Sequence, residues 1–254
     1  MGLRNETPEI ITILARLSRL DGNSAITYLC DPTVRHYFRT VDEDKFCGYQ
    51  NIRMALSYLL TRKIANNDKL GRVSLDIPTL QHYIERSWAR NPAKYQSARG
   101  DLGGRLKNTR QFIGPAEVQA IWDHLHIPHD TRDYTGAGYH QDVLDFVEHY
   151  FQRYIGMANV NVSGDERAVL TAAPPIFMQA PGHSMSIVGL EKLLDGSRNL
   201  LILDPDHEPS GNMLAWWHQG GHRTRSASNM LEPYRMSERS WRKRVGPMAL
   251  TLVM

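Results

Sequence analysis

Two cysteines in 254 residues, Cys30 and Cys47, are too few to staple a chain of this length, and neither belongs to a C-x-x-C pair. A disulfide framework is excluded, and a reducing compartment, cytoplasmic or nuclear, is expected. No apolar run approaches the roughly 20 residues of a membrane span, so no membrane association is expected. The opening residues, MGLRNETPEIITILARL, interrupt their apolar positions with Arg4 and Glu6 and lack the apolar block of a secretory signal. Internal repeats and low-complexity segments are missing as well. What remains is ordinary globular usage, 41% hydrophobic and 22% charged residues, which predicts a soluble monomer with one buried core.

The net charge of +3 is unevenly spread. Seven basic residues against two acids fall between His222 and Arg244. With Tyr234 and Trp241 nearby, this run fits an acidic partner or nucleic acid, but a solvated face explains it equally well and is the commoner case.

The first half of the chain reads as helices. Ile10, Leu14 and Leu17 predict an amphipathic helix ending near Asp21-Gly22. After Cys47, the positions Ile52, Ala55, Leu56, Leu59 and Leu60 form a single apolar stripe. Further helices are predicted from Pro78 to Trp88, from Pro115 to Leu125 with a stop at Pro128, and from Val143 to Tyr154 with a stop at Gly156. Residues 91–111, with Gly103-Gly104, read as a surface loop. Beyond Gly156 come short β-type runs: NVNV, PPIFMQ, HSMSIVGLE, NLLILD and PMALTLV. Asp195-Gly196 predicts a tight reversal that pairs HSMSIVGLE with NLLILD antiparallel. The expected fold class is α+β, a helical half packed on a C-terminal antiparallel sheet. A single domain over 1–254 is expected, with 1–45 as a helical extension and 46–254 as the core.

A thiol nucleophile gains from a helix N-terminus, whose partial positive charge and free amides favour the thiolate. Cys47 stands at such a start, whereas Cys30, in TYLCDPT, reads as a packing residue. Gly48 then leaves room for a substrate backbone. In papain-like enzymes the base is a histidine roughly 130–150 residues downstream, and His183 lies 136 residues after Cys47. Eleven histidines make spacing weak on its own. The hairpin strengthens it, because it carries Asp204 back almost opposite His183, where a carboxylate would orient the imidazole. An oxyanion needs donors besides the nucleophile's amide. No glutamine precedes Gln50, so Gln179 is the available one, though a glutamine at a strand end more often bonds backbone.

The segments CGYQNIRMALSYLL (47–60), TRQFIGPAEVQAIW (109–122), PPIFMQAPGHSMSIVGLE (174–191) and LLILDP (200–205) resemble the zinc-finger-containing ubiquitin peptidase branch of the Ufm1-specific-protease-like cysteine peptidases. The resemblance implies a papain-like fold and a deubiquitinating peptidase. It also implies Cys47 as nucleophile, His183 as base, Asp204 as its orienter and Gln179 as oxyanion donor. The tryptophan-glycine pair that precedes the family's C-G-Y motif is Lys45-Phe46 here, and no zinc finger accompanies the domain. Ubiquitin or polyubiquitin is the expected partner, with ubiquitin-like modifiers next. Asp42, Glu43 and Asp44 are candidates to receive the arginines of a ubiquitin tail, and Gly48 and Gly182 complete the substrate-facing set.

Two alternatives stand beside this reading. A protease for the ubiquitin-fold modifier would join aspartate and histidine as D-P-H. Here Asp206 intervenes between Pro205 and His207, which leaves His207 only as a rival base. A non-catalytic adaptor binding ubiquitin or nucleic acid is the other. No cofactor is expected. The cluster Asp123, His124, His126, His129 and Asp130 has ligand chemistry, but Pro128 breaks it, and no metal is expected.

Overall fold

The computed structural model describes residues 5–40, 43–63, 73–157, 167–241 and 246–254. From the start of the chain these form β1 (Glu6–Thr7), α1 (Ile10–Leu20), β2 (Ser24–Leu29), β3 (His36–Tyr37) and α2 (Cys47–Arg62). Next come α3 (Ile77–Arg90), α4 (Gln96–Asp101), α5 (Pro115–Leu125), β4 (His129–Tyr134) and α6 (Tyr139–Arg153). The last third holds β5 (Ala168–Leu170), β6 (Ile176–Ala180), β7 (His183–Leu193) and β8 (Arg198–Leu203). It closes with α7 (Gly211–His218), α8 (Ala227–Leu231), β9 (Arg235–Ser237), α9 (Glu238–Trp241) and β10 (Met248–Val253).

The sheet runs β4-β10-β6-β7-β2-β5, and β8 followed by β9 extends from the other edge of β7. At its centre, β7 is buried continuously from Ser184 to Glu191, because α2 and α6 both pack on it. Pairing is antiparallel except between β2 and β5, which run parallel. The architecture is α+β, with that one parallel pair as a departure from the all-antiparallel expectation.

The N-terminal segment is not an extension. β2 lies inside the sheet between β7 and β5, and α1 packs against β2, β5 and α8, so the described residues before 46 belong to the same core. Its alternation SAITYL was hidden behind the stronger helical signal of α1. A second unforeseen strand, β4, borders β10, and its polar sequence HDTRDY suits a half-exposed edge. The 91–111 stretch contains the short α4, and NVNV lies outside the described residues. The helix predicted from Pro78 starts one residue earlier, since Asp76 caps it by accepting from the Thr79 amide at 2.8 Å.

The predicted β7–β8 hairpin is present. The Leu193 amide donates to the Ser197 carbonyl at 2.9 Å, and Asp195 accepts from the Ser197 amide at 2.9 Å. Gly196, at φ 84°, supplies the left-handed residue that the reversal requires.

Candidate active site

Cys47 is the first residue of α2, and only 3% of it is exposed. The amides of the first turn have no acceptor inside the helix, and they surround the sulfur's end of it. The helix is not the one-sided element that its stripe implied. Every residue from Cys47 to Leu59 is buried, because sheet and neighbouring helix segments enclose it. Most of its polar side chains are paired, as burial demands, the Tyr49 hydroxyl being the exception among the described residues. Arg53 donates to Gln50 Oε1 at 2.8 Å and to the Leu75 carbonyl at 2.6 Å. Asn51 Nδ2 donates to the Cys47 carbonyl at 2.9 Å and to Ser184 Oγ at 3.1 Å, while its Oδ1 accepts from Ser186 Oγ at 2.8 Å. Two serines at alternate positions of β7 thus anchor the first turn of α2 to the sheet.

His183 opens β7, after the reversal Ala180-Pro181-Gly182. Pro181 suits the first turn position, and Gly182 follows at φ 76°. The imidazole Nε2 lies 2.7 Å from Asp204 Oδ1. A bulge between Ile187 and Gly189 shifts the β7–β8 register, and regular pairing ends at Ser186 opposite Leu203. Asp204 therefore reaches His183 diagonally rather than from directly across. With Nε2 taken by Asp204, the hydrogen bond between His183 and the Cys47 thiol falls to Nδ1.

The electrostatics follow from these contacts. Burial pushes the Cys47 thiol up, but hydrogen bonds from His183 and from the hydroxyl and amide of Ser184 outweigh it, and the net direction is down. Burial pulls His183 down. The bonds to Asp204 and Cys47, helped by the charge of Asp206, outweigh it and push the imidazolium up to about 10. A thiol pulled down beside an imidazole pushed up holds its proton on the imidazole, as a thiolate–imidazolium pair. Cys30 is the opposite case: full burial and Asp31 raise its thiol far above the usual range, and it is inert packing.

The other predicted positions divide. Gln179 donates through Nε2 to the carbonyls of Ala180 at 2.7 Å and His183 at 3.1 Å, so both its donors serve the turn that presents His183. Gly48 does not make room for substrate. A Cβ there would stand 2.5 Å from Ile113 Cγ1 and 3.1 Å from the Ile113 carbonyl, so the glycine lets the segment before α5 pack on the turn that carries Cys47. Gly182 is exposed with open space around it. Asp42 lies outside the described residues. Glu43 points inward, accepting from Asn5 at 3.1 Å, the Thr40 amide at 3.1 Å and Gln50 at 3.0 Å, and it braces the loop before Cys47. Asp44 pairs with Arg110 at the surface, 2.6 Å apart.

His207 stays away from the thiol and packs edge-on against Tyr234, ring centres 5.2 Å apart. The ligand-like cluster near Pro128 is spent on other contacts: Asp123 accepts from Lys94 at 2.7 Å and Tyr95 at 2.5 Å, and His124 stacks on Tyr83. Among the described residues, one group of three metal-type ligands converges, His183, Asp204 and Asp206. Asp204 is already bonded to His183, and Asp206 holds Arg39 at 2.6 Å. Asn51, in the CGYQN motif, is expected to shape the Cys47 turn and does so, whereas Ser184 and Ser186 are the site residues that sequence reasoning passed over. Their signal was two hydroxyls at alternate positions of HSMS, which sets both on one face of a strand.

A thiol at a helix start, an imidazole at a strand start and a carboxylate behind it define the papain-like cysteine peptidase class. Residues 23–243 match the model of peptidase family C78, and the chain belongs to that family. Zinc finger-containing ubiquitin peptidase 1 of Homo sapiens is 29% identical over 207 residues, which cover 80% of this chain and 34% of that protein. The Bos taurus protein of the same name is 32% identical over 164 residues, 63% of this chain and 27% of that one. The chain thus spans about a third of the length of these curated relatives. The crystal structure of UfSP from C. elegans aligns with a TM-score of 0.49 at 12% identity, over 94% of this chain and 36% of that one.

Proposed function

We propose that this chain is a deubiquitinating cysteine peptidase that hydrolyses the peptide or isopeptide bond after the C-terminal Gly-Gly of ubiquitin. The continuous contact Cys47–His183–Asp204 is the observation that carries the proposal. The Cys47 thiolate attacks the glycine carbonyl, and the Cys47 amide with its first-turn neighbours receives the oxyanion. His183 gives its Nδ1 proton to the departing amine, which leaves a thioester on Cys47. Water, deprotonated by the same nitrogen, attacks the thioester, and the thiolate leaves with ubiquitin's carboxylate released. Gln179 joins the oxyanion donors if substrate draws its amide off the Ala180 carbonyl. A reducing compartment, cytoplasm or nucleus, keeps the thiol in this state.

The names of the relatives support ubiquitin over the ubiquitin-fold modifier, and so does the pairing of Asp204 with His183 rather than with His207. Steady-state cleavage of fluorogenic conjugates of each modifier, run side by side, tests the choice. Ubiquitin is expected to be cleaved at least tenfold faster in kcat/KM. Equal rates, or preference for the ubiquitin-fold modifier, overturn it. On the preferred substrate, His183→Ala is expected to cost several orders of magnitude, while His207→Ala leaves most activity. The basic run gives the adaptor reading less support than its composition did. Arg235 is buried between Asp21 and Glu191, Arg242, Lys243 and Arg244 lie outside the described residues, and Arg223 and Arg225 are exposed.

A further inference from the structure

We infer that His36 is a positioning residue for the thiol site, holding the main chain of Asp204 so that its carboxylate stays on His183. The inference rests on the cysteine-peptidase reading of Cys47, His183 and Asp204, but not on ubiquitin as substrate.

His36 lies in β3, more than 140 residues before the triad's histidine, and it is completely buried. Its Nε2 stands 3.0 Å from the carbonyl oxygen of Asp204. A carbonyl only accepts, so Nε2 carries the proton and donates, and Nδ1 is the bare nitrogen. Nδ1 is buried without a partner, which a bare nitrogen tolerates better than an N–H would. Phe38 and Tyr234 meet the ring edge-on, with centres 6.0 and 6.5 Å away. Three residues after His36, the Arg39 amide donates to the Pro205 carbonyl at 2.7 Å, and its guanidinium pairs with Asp206 at 2.6 Å. The stretch after β1 is therefore a clamp on the turn that follows β8. Pairing in β8 stops at Leu203, so beyond the ladder the clamp adds to the turn's own bonds, from the Asp206 amide to Asp204 Oδ1 at 2.9 Å and from the His207 amide to the Asp204 carbonyl at 3.0 Å.

A neutral donor is the chemistry this place requires. Burial drops His36 to about 4, so the imidazole carries no charge near neutrality and does not compete with His183 for the Asp204 carboxylate. A lysine or arginine there would. The charged and titratable groups facing His183 are Cys47 from α2 and Asp204 and Asp206 from the turn. Arg39 is paired to Asp206, His36 bonds the Asp204 carbonyl rather than its carboxylate, and His207 lies near Asp204.

The experiment is the pH dependence of Cys47 alkylation by iodoacetamide, read by mass spectrometry, which reports the thiolate whatever the physiological substrate. His36→Gln places an amide nitrogen near the position of Nε2, and His36→Asn ends short of the carbonyl. With folding checked by circular dichroism and thermal melting, His36→Gln is expected to keep the wild-type rate and limbs. His36→Asn is expected to lose roughly tenfold to a hundredfold at neutral pH, with the alkaline limb moved to lower pH as His183 loses its partner. A folded His36→Asn protein with the wild-type profile, or a His36→Gln protein as impaired as His36→Asn, overturns the inference. Nitrogen-15 shifts of the wild-type histidines decide the matter even if His36→Asn fails to fold: an Nε2–H tautomer at His36 supports it, and an Nδ1–H tautomer contradicts it. Wild-type alkylation with an ordinary thiol profile would instead sink the ion-pair reading on which the inference stands.

Discussion

Cys47 and His183 titrate as a pair, and the sign of each shift fixes the pH window. The thiol is held below its ordinary value, so the pair fails on the acid side as pH falls through that lowered value. The imidazolium is held up to about 10, so the pair survives until pH rises through that region. The pH profile of kcat/KM is expected to be bell-shaped with its alkaline limb near 10. Asp204→Asn removes a contact that raises His183, and its alkaline limb should move down. Ser184→Ala removes a hydroxyl that lowers the thiol, so its acid limb should move up. An unmoved acid limb in Ser184→Ala would show that the hydroxyl does not reach the sulfur. At this scale the sequence was informative about reactive atoms and silent about their supports. A helix start and a hairpin reveal Cys47, His183 and Asp204. Ser184, Ser186 and His36 are polar residues that only burial turns into obligate partners, and burial is a tertiary property.

Elements that announce themselves by period were legible. α1, α3, α5 and α6 carry apolar faces at helical spacing, and β6, β7, β8 and β10 carry dense apolar runs. The strands β2, β5 and β9 were not, because two of them are three residues long and each gains its place by pairing far along the chain. Gly48 and Gly189 show how elements constrain one another. Alanine at Gly48 meets the Ile113 side chain, whereas at Gly189 it meets the Tyr28 carbonyl in the backbone of β2. A side chain yields more cheaply than a paired strand. Gly48→Ala is therefore expected to cost about 1–3 kcal/mol in denaturant unfolding, partly relieved by Ile113→Ala, and Gly189→Ala to cost more. Gly48→Ala should nonetheless lose more activity, since it moves the turn that holds the thiol. The reverse order of stabilities would mean that β2 and β7 are looser than their pairing implies.

Across the whole molecule, distant segments meet in two buried places. Arg235 grips both oxygens of Glu191, at 2.8 and 2.7 Å, and also Asp21, tying α1, β7 and β9 together. Arg235→Met leaves two buried carboxylates without their cation and should cost about 3–5 kcal/mol in unfolding free energy, while the folded fraction keeps its alkylation profile. The other place is the site itself, where the segment before α2, the helix start, β7 and the turn after β8 converge. The chain order of these pieces was readable, but their meeting rests on α2 packing against β7 through Asn51, Ser184 and Ser186, a contact that only the folded chain brings about. The most direct test of the account is the intact mass of the protein after reaction with ubiquitin bearing a C-terminal electrophile. One ubiquitin is expected on the wild-type chain, located at Cys47, and none on Cys47→Ala. Addition that persists in Cys47→Ala or maps to Cys30, or a wild-type chain that stays unmodified, would contradict it.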